Sequence, residues 1–416
     1  MARLEDVGRR VAIVGAGYAG MACAVALADR GVPVTVFESG PVPGGRARRV
    51  VAQGEALDNG QHILIGAYAE LFGLMQRVGV PSEALLRMPL ELRYARGFAL
   101  RALWLPPPLD LLGGLLAARG APLGERLSAV RFVLALRRRR FRLEKDCSVD
   151  ELLAHHGQEG SLADHLWRPL CISALNTPPA RASAEAFLAV LRDTLGGPPG
   201  AADLLLPKVD LSRLFPEPAA AWIAARGGEL RLNARVRDLE ALRREHAAVV
   251  LAVGPHQLEA LAPGLAPGHA YQPITTCYLQ YPERVHLPLP MLGLNAGLVQ
   301  WVFDRGALLG ERGRLACVIS AEGEHQQMSH DALAQACARE LAQALPGLPA
   351  PQWSRVISEK RATVECAPGR PRIGPETPWP DVLLAGDYTD PEYPPTLEAA
   401  ARSGVRAARL CYARLQ

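Results

Sequence analysis

The sequence predicts an α/β protein of two domains, the first built on a parallel sheet assembled from separated stretches of chain. Three observations carry this prediction. Residues 11–14 (VAIV) form a short apolar run that ends at a glycine and leads into a small-residue helical stretch. Residues 32–38 (VPVTVFE) read as a second strand that ends in an acid. Residues 381–409 repeat the order of strand, loop and helix at the far end of the chain. The length of 416 residues suits two to three domains. With 49% hydrophobic and 21% charged residues, a mainly disordered or collagen-like chain is excluded.

The elements follow in order. Residues 11–28 carry no charge, follow Arg3, Arg9 and Arg10, and end in small residues, so they imitate a secretory leader. A buried strand, a glycine turn and a helix over 18–31 account for them better. Gly15, Gly17 and Gly20 form G-x-G-x-x-G at that junction, and Glu38 follows Gly20 by 18 residues. Gly15 permits the tight turn, Gly17 lets a pyrophosphate approach the backbone, and Gly20 lets helix and strand pack closely. The helix N-terminus offers free N–H groups to the phosphates, and Glu38 can accept from ribose hydroxyls. Glycines, strand, helix and acid in register predict dinucleotide binding.

A turn-rich loop then brings Gly44, Gly45 and Arg46. Near the C-terminus a strand (DVLLAG) delivers Gly386 and Asp387, and a helix begins near Pro395 or Thr396 and contains Ser-Gly. Here the chain resembles the flavoprotein superfamily of amine oxidases and phytoene desaturases. The resemblance implies FAD rather than NAD, with Arg46 near the pyrophosphate or flavin and Asp387 near the ribityl or pyrophosphate region. It places the helix N-terminus at Thr396 and Leu397 against the flavin pyrimidine oxygen, where a positive dipole end stabilises the anionic reduced ring. Residues 227–255 fit the family's edge strands through Gly228, Asn233 and Val236, with the Val236 backbone at adenine. No Cys lies between Gly386 and Leu397, where covalent amine oxidases attach flavin, so noncovalent FAD is expected. No second G-x-G-x-x-G follows a strand, so no NAD(P)H site is legible and the electron donor stays unassigned.

Two further phrases are similar to the hydroxysqualene dehydroxylase branch: LDNGQHILIGAY (57–68) and WRPLCISALNTPP (167–179). That branch implies reductive loss of an allylic hydroxyl to give squalene, a step of isoprenoid and hopanoid precursor synthesis. The site must hold a long apolar isoprenoid, exclude water and assist departure of hydroxide. His62 is the candidate proton donor, beside the reading that it only bonds backbone or packs on the ring. Gln61 sits in the same cofactor-facing phrase. Asn176 either orients a substrate hydroxyl or caps the turn before Pro178. Asp58 braces the loop. Tyr388, Asp390, Glu392 and Tyr393 read equally as site residues or solvated loop groups. A carotenoid-type desaturase is the alternative enzyme, and a non-catalytic isoprenoid-binding protein of this fold the alternative of another class.

The middle of the chain is apolar and basic. Residues 98–120 are Leu-rich but broken by Arg101, Asp110 and three prolines, so they form no regular spanning helix. Residues 119–145 hold nine Lys/Arg against two Asp/Glu. With the whole chain at +4 and this block at +7, the rest carries −3. Segment 98–145 is read two ways: docking on an anionic membrane surface, or a solvated helix packed on the core. Four adjacent Arg (137–140) point around a helix without an aromatic surface, so nucleic acid is not expected. The eight Cys lack CxxC spacing and no His-Glu-x-x-His occurs, which predicts reduced thiols, no metal, and a cytoplasmic chain, peripheral on the inner membrane face if 98–145 docks.

By analogy with the fold, residues 1–66, 217–265 and 362–416 form the FAD domain. Residues 67–216 and 266–361 form an inserted substrate domain of mixed sheet and helices, with strands at LVQWVFD and RLACVISAE and a helix over 334–345. Trp301 and Phe303 read as core.

Overall fold

The computed structural model describes residues 10–265, 268–295, 297–370 and 373–416. Arg3 and Arg9, part of the leader-like pattern, lie outside them. Strand Val11–Val14 is fully buried and sits at the centre of a five-stranded parallel sheet. Its neighbours are Val34–Phe37 on one side and Ala248–Leu251 on the other, with Glu229–Arg231 and Val382–Leu384 at the edges. Strands covered on both faces need apolar runs, which Val11–Val14, Ala248–Leu251 and Val382–Leu384 have, whereas the edge strand Glu229–Arg231 is partly exposed. Three of the five strands come from beyond residue 228, so the sheet closes only when distant stretches meet.

Helix Tyr18–Ala28 is buried along its whole length. This explains why its sequence is apolar all round rather than striped. It is covered by helices Pro216–Ala224 and Leu397–Leu415. A Cβ on Gly404 would lie 2.1 Å from the Ala19 carbonyl oxygen, so the two backbones touch there. The core of this sheet also takes in Leu71, Leu74 and Met75 of helix Ala69–Arg77, and Leu214 and Phe215. Glu398, fully buried, accepts from the backbone N–H groups of Glu70 (3.1 Å) and Leu71 (2.9 Å) and from Arg402 (2.8 Å). It binds the last helix to a helix more than 300 residues earlier.

The second sheet has the order Met291–Gly293, Trp301–Asp304, Arg314–Ser320, Tyr271–Gln280, Trp353–Val364. Every pair in it is antiparallel, which corrects the expected mixed sheet. Short connections join Met291–Gly293, Trp301–Asp304 and Arg314–Ser320 in turn, and a parallel pair would need a crossover of a dozen residues or more. Helix His330–Ala344 packs on this sheet and begins four residues before the predicted start. The cause is Ser329, whose hydroxyl caps it by accepting from Ala332 N.

Segment 98–145 folds as helices Leu109–Ala117 and Leu123–Arg138. The second buries Ala129, Phe132, Val133 and Leu136, three and four residues apart, in the core shared with the antiparallel sheet. Arg138, Arg139 and Arg140 stay exposed, whereas Arg137 donates to the Leu195 carbonyl that ends helix Ala184–Leu195. Eight large apolar side chains between Leu103 and Leu134 are exposed, Trp104 most of all at 87%. Among the described residues no helix is long and apolar enough to cross a membrane.

Candidate functional site

The glycine turn has the shape its sequence predicts. Gly15 has φ +107°, and a Cβ there would lie 2.5 Å from the Ala252 carbonyl oxygen. A Cβ on Gly20 would lie 1.9 Å from the Gly15 oxygen. Gly17 differs: its backbone is extended, and a Cβ would meet only Gly45 Cα at 3.7 Å. Gly15 and Gly20 therefore build the turn, while Gly17 keeps the space above it open. Gly45, at φ +62°, lies against Gly17 from the second loop. The Glu38 carboxylate accepts from Ala16 N (2.9 Å) and Gly40 N (2.8 Å), so it braces the turn while lining the same cavity. A carboxylate has about four acceptor positions, which leaves room for ribose hydroxyls.

Arg46 and Asp387, separated by 341 residues, meet at 2.7 Å. Arg46 also donates to the Ala362 carbonyl at 2.8 Å. The Gly386 N–H donates to Ser403 Oγ (2.9 Å), tying the loop to the last helix. That helix starts at Leu397 with Thr396 as cap, its hydroxyl accepting from Ala399 N at 3.2 Å. The loop between is not solvated as a whole: Asp387, Tyr388, Asp390 and Tyr393 are buried, and Glu392 alone among the four earlier candidates is exposed. The Tyr393 hydroxyl has no hydrogen-bond partner among the described residues, and Tyr393 lines the cavity. Val236 follows the short edge strand Glu229–Arg231 and also lines the cavity.

The phrase at 57–62 is held from beneath. Asp58, 3% exposed, accepts from Leu211 N (2.9 Å) and from Arg305 (3.1 Å). The Tyr278 hydroxyl donates to the Asp58 carbonyl (2.8 Å) and accepts from Gln61 (3.3 Å). Asn59 donates to the Arg46 carbonyl (3.0 Å) and to Glu359 (3.1 Å). His62 Nδ1 is buried without a hydrogen-bond partner among the described residues. Burial, helped by the nearby Arg46 charge, pushes His62 down to about 4. Its imidazole is therefore neutral near pH 7 in the free protein.

This has a consequence for stability. His62 and His269 are both lowered to about 4 from 6.5, chiefly by burial. Between those values the unfolded chain binds protons that the folded one does not. Their contribution is complete above about pH 6.5 and is lost as pH falls toward about 4. Flavin-free protein is expected to show a lower urea midpoint at about pH 5 than at about pH 7, with a smaller difference in His62→Gln. An equal difference in the variant would contradict the buried neutral ring.

The glycine turn and the 59–62 stretch border one cavity of about 1370 Å³. One end is the glycine turn with Glu38, Gly45, Arg46, Val236, Asp387, Thr396 and Leu397. The other is apolar, walled by Leu92, Leu170, Met291, Trp301, Phe303 and Val318. Gln61 and His62 also line it. The residues fit a bound dinucleotide: a glycine cradle that a Cβ at 17 would fill, a capped helix N-terminus, and an unpartnered buried imidazole nitrogen. Asn176 lies on the wall too, but its carboxamide is taken up by protein. It donates to Gln272 O, Pro273 O and Thr363 Oγ1 and accepts from Ala321 N at 2.7 Å. It ends helix Arg168–Leu175 in a left-handed conformation, and its carboxamide joins elements of the protein. Trp301, Phe303 and Ser173 escaped the sequence reading as cavity residues. An apolar strand face has the same pattern whether it meets protein or ligand.

Comparisons with known proteins agree with a flavoprotein fold. The sequence profile of the family described as "flavin containing amine oxidoreductase" matches residues 18–411. A hydroxysqualene dehydroxylase of Rhodopseudomonas palustris is 29% identical over 97% of this chain and 99% of its own. A probable zeta-carotene desaturase of Synechococcus elongatus is 26% identical over 96% of this chain and 98% of its own. Among solved structures, a putrescine oxidase bound to putrescine superposes with a TM-score of 0.69 at 16% identity, covering 98% of this chain and 99% of that one. That likeness supports the fold.

Proposed function

The chain belongs to the flavin-containing amine oxidoreductase family, and from that premise we propose that it is an FAD-dependent oxidoreductase converting hydroxysqualene to squalene, a hopanoid precursor. The observation that carries the reading is the single cavity running from the glycine cradle into an apolar chamber. A dinucleotide and a long hydrocarbon need such a space in common.

In this reading Gly15, Gly17, Gly20 and Gly45 receive the pyrophosphate, and Glu38 the ribose. Val236 lies at adenine. Arg46, Gly386 and Asp387 hold the ribityl and pyrophosphate region, and Gln61 and His62 border the ring. Thr396 and Leu397 present the last helix's N-terminus to its pyrimidine edge. FAD is held noncovalently, as no cysteine lies between Gly386 and Leu397. When bound and reduced, the flavin supplies hydride. The chain's own residues hold the isoprenoid, exclude water through the apolar wall, and keep His62 neutral. The FAD domain corresponds to residues 1–66, 217–265 and 362–416, and the remainder to the substrate domain.

An anaerobic single turnover tests the reading. Chemically reduced flavoprotein mixed with hydroxysqualene in detergent is expected to yield squalene with oxidised flavin. Flavin that stays reduced in folded protein would overturn it and direct attention to desaturation, which the similarity to a probable zeta-carotene desaturase makes the alternative.

The segment 98–145 supports docking on an anionic membrane, from the cytoplasmic side. Its exposed Trp104 and leucines offer an apolar face, and Arg138, Arg139 and Arg140 an electrostatic one. Replacing those three Arg by Gln together is expected to weaken binding to phosphatidylserine vesicles by about a hundredfold, at about 1 kcal/mol per charge. Unchanged co-sedimentation would remove the docking.

A further inference from the structure

We propose that Ser173 receives the oxygen of the hydroxylated isoprenoid and so selects the alcohol over the hydrocarbon; this rests on the substrate class proposed above. Ser173 lies on helix Arg168–Leu175, between buried Cys171 and Leu175, yet its own surface is open and borders the cavity. Trp301, on the antiparallel sheet, donates its indole N–H to Ser173 Oγ at 3.2 Å. An indole nitrogen only donates, so the serine oxygen is committed as the acceptor. Serine keeps one proton to give, and no acceptor for it occurs among the described residues. The remaining direction is the cavity, where Leu92, Leu170, Met291, Phe303 and Val318 offer no acceptor.

Other polar groups on this wall are placed differently. Thr194 donates back to Val190 O at 2.8 Å, and the Asn176 carboxamide is filled by protein partners. Ser320 lacks an indole donor to fix its oxygen. Accepting from Trp301 strengthens Ser173 as a donor, and the apolar surroundings make its bond stronger than one in water. Discrimination then acts from both sides. Ser173 is exposed to the open cavity, where water takes its proton; an alcohol replaces that bond, whereas a hydrocarbon lying over the serine displaces the water without replacing it.

The test uses flavin-loaded protein in detergent, with hydroxysqualene and squalene as probes and dissociation constants read by tryptophan fluorescence. Wild type is expected to prefer the alcohol by about tenfold. Ser173→Ala, matched to wild type in flavin content and melting temperature, is expected to lose most of that preference with squalene binding unchanged. Ser173→Thr, which keeps a hydroxyl, restores it, and Trp301→Phe lowers it by less. A preference retained in Ser173→Ala, or equal weakening toward both lipids, would overturn the proposal. Wild type that turns over hydroxysqualene without preferring it would overturn the serine's role and leave the function standing. Wild type that binds neither lipid would remove both.

Discussion

Gly17→Val is expected to fold and to purify without flavin. The three fingerprint glycines differ in what a side chain would meet. At Gly15 and Gly20 a Cβ would strike a carbonyl oxygen at 2.5 and 1.9 Å, and Gly15 has a positive φ besides. Substitution there damages the turn itself. At Gly17 the backbone is extended, and the contact of 3.7 Å with Gly45 is ordinary packing. Valine therefore fits the free chain but projects into the space above the N-terminus of helix Tyr18–Ala28. A pyrophosphate binds there only by approaching bare N–H groups. The expected measurement is a melting curve close to that of wild-type apoprotein together with no visible flavin absorption, even after incubation with excess FAD. Stoichiometric flavin in the variant would refute the cradle assignment. An unfolded variant would instead show that Gly17 packs more tightly than its geometry indicates.

The parts of this site legible from sequence were those encoded locally. Strand, glycine turn, helix and Glu38 lie within 28 residues of one another and use short-range rules. The terminal strand–loop–helix was legible for the same reason, since Thr396 caps a helix at the predicted place. What had to wait was everything made by distant residues meeting. Arg46 and Asp387 each suggested a cofactor contact, but their pairing across 341 residues follows from sheet order rather than from either motif. Glu398 has the sequence position of an ordinary first-turn acid, yet it accepts from Glu70 N, Leu71 N and Arg402 in the core. Trp301 and Phe303 have the alternation of a packed strand, and only the third dimension shows that their neighbours leave a space. His62 is the converse case. Its position was legible, but its protonation depends on burial by groups spread along the chain.

Arg305→Ala is expected to destabilise the protein by about 3–5 kcal/mol, the range for an uncompensated buried charge. Arg305 is 1% exposed and lies between two carboxylates. It donates to Asp58 at 3.1 Å and twice to Glu311, at 2.6 and 2.9 Å, with the Tyr278 ring 5.3 Å away. Burial already lifts the Asp58 carboxyl above its usual range with the guanidinium in place. Without that cation, burial acts unopposed by it, and the group must protonate or draw in water. Glu311 suffers less, because Arg314 also donates to it at 3.1 Å. The damage should therefore concentrate at Asp58, whose backbone carbonyl holds Tyr278 and, through it, Gln61. Asp58→Asn in the Arg305→Met background removes both charges and keeps an acceptor for Leu211 N, so it is expected to recover a large part of the loss. Guanidinium unfolding of Arg305→Met, Asp58→Asn and the double variant measures this coupling. Additive losses would mean that Arg305 acts through Glu311 and packing rather than through Asp58. Recovery of stability with flavin binding still impaired would show that the pair also positions the Asn59–His62 stretch along the cavity wall.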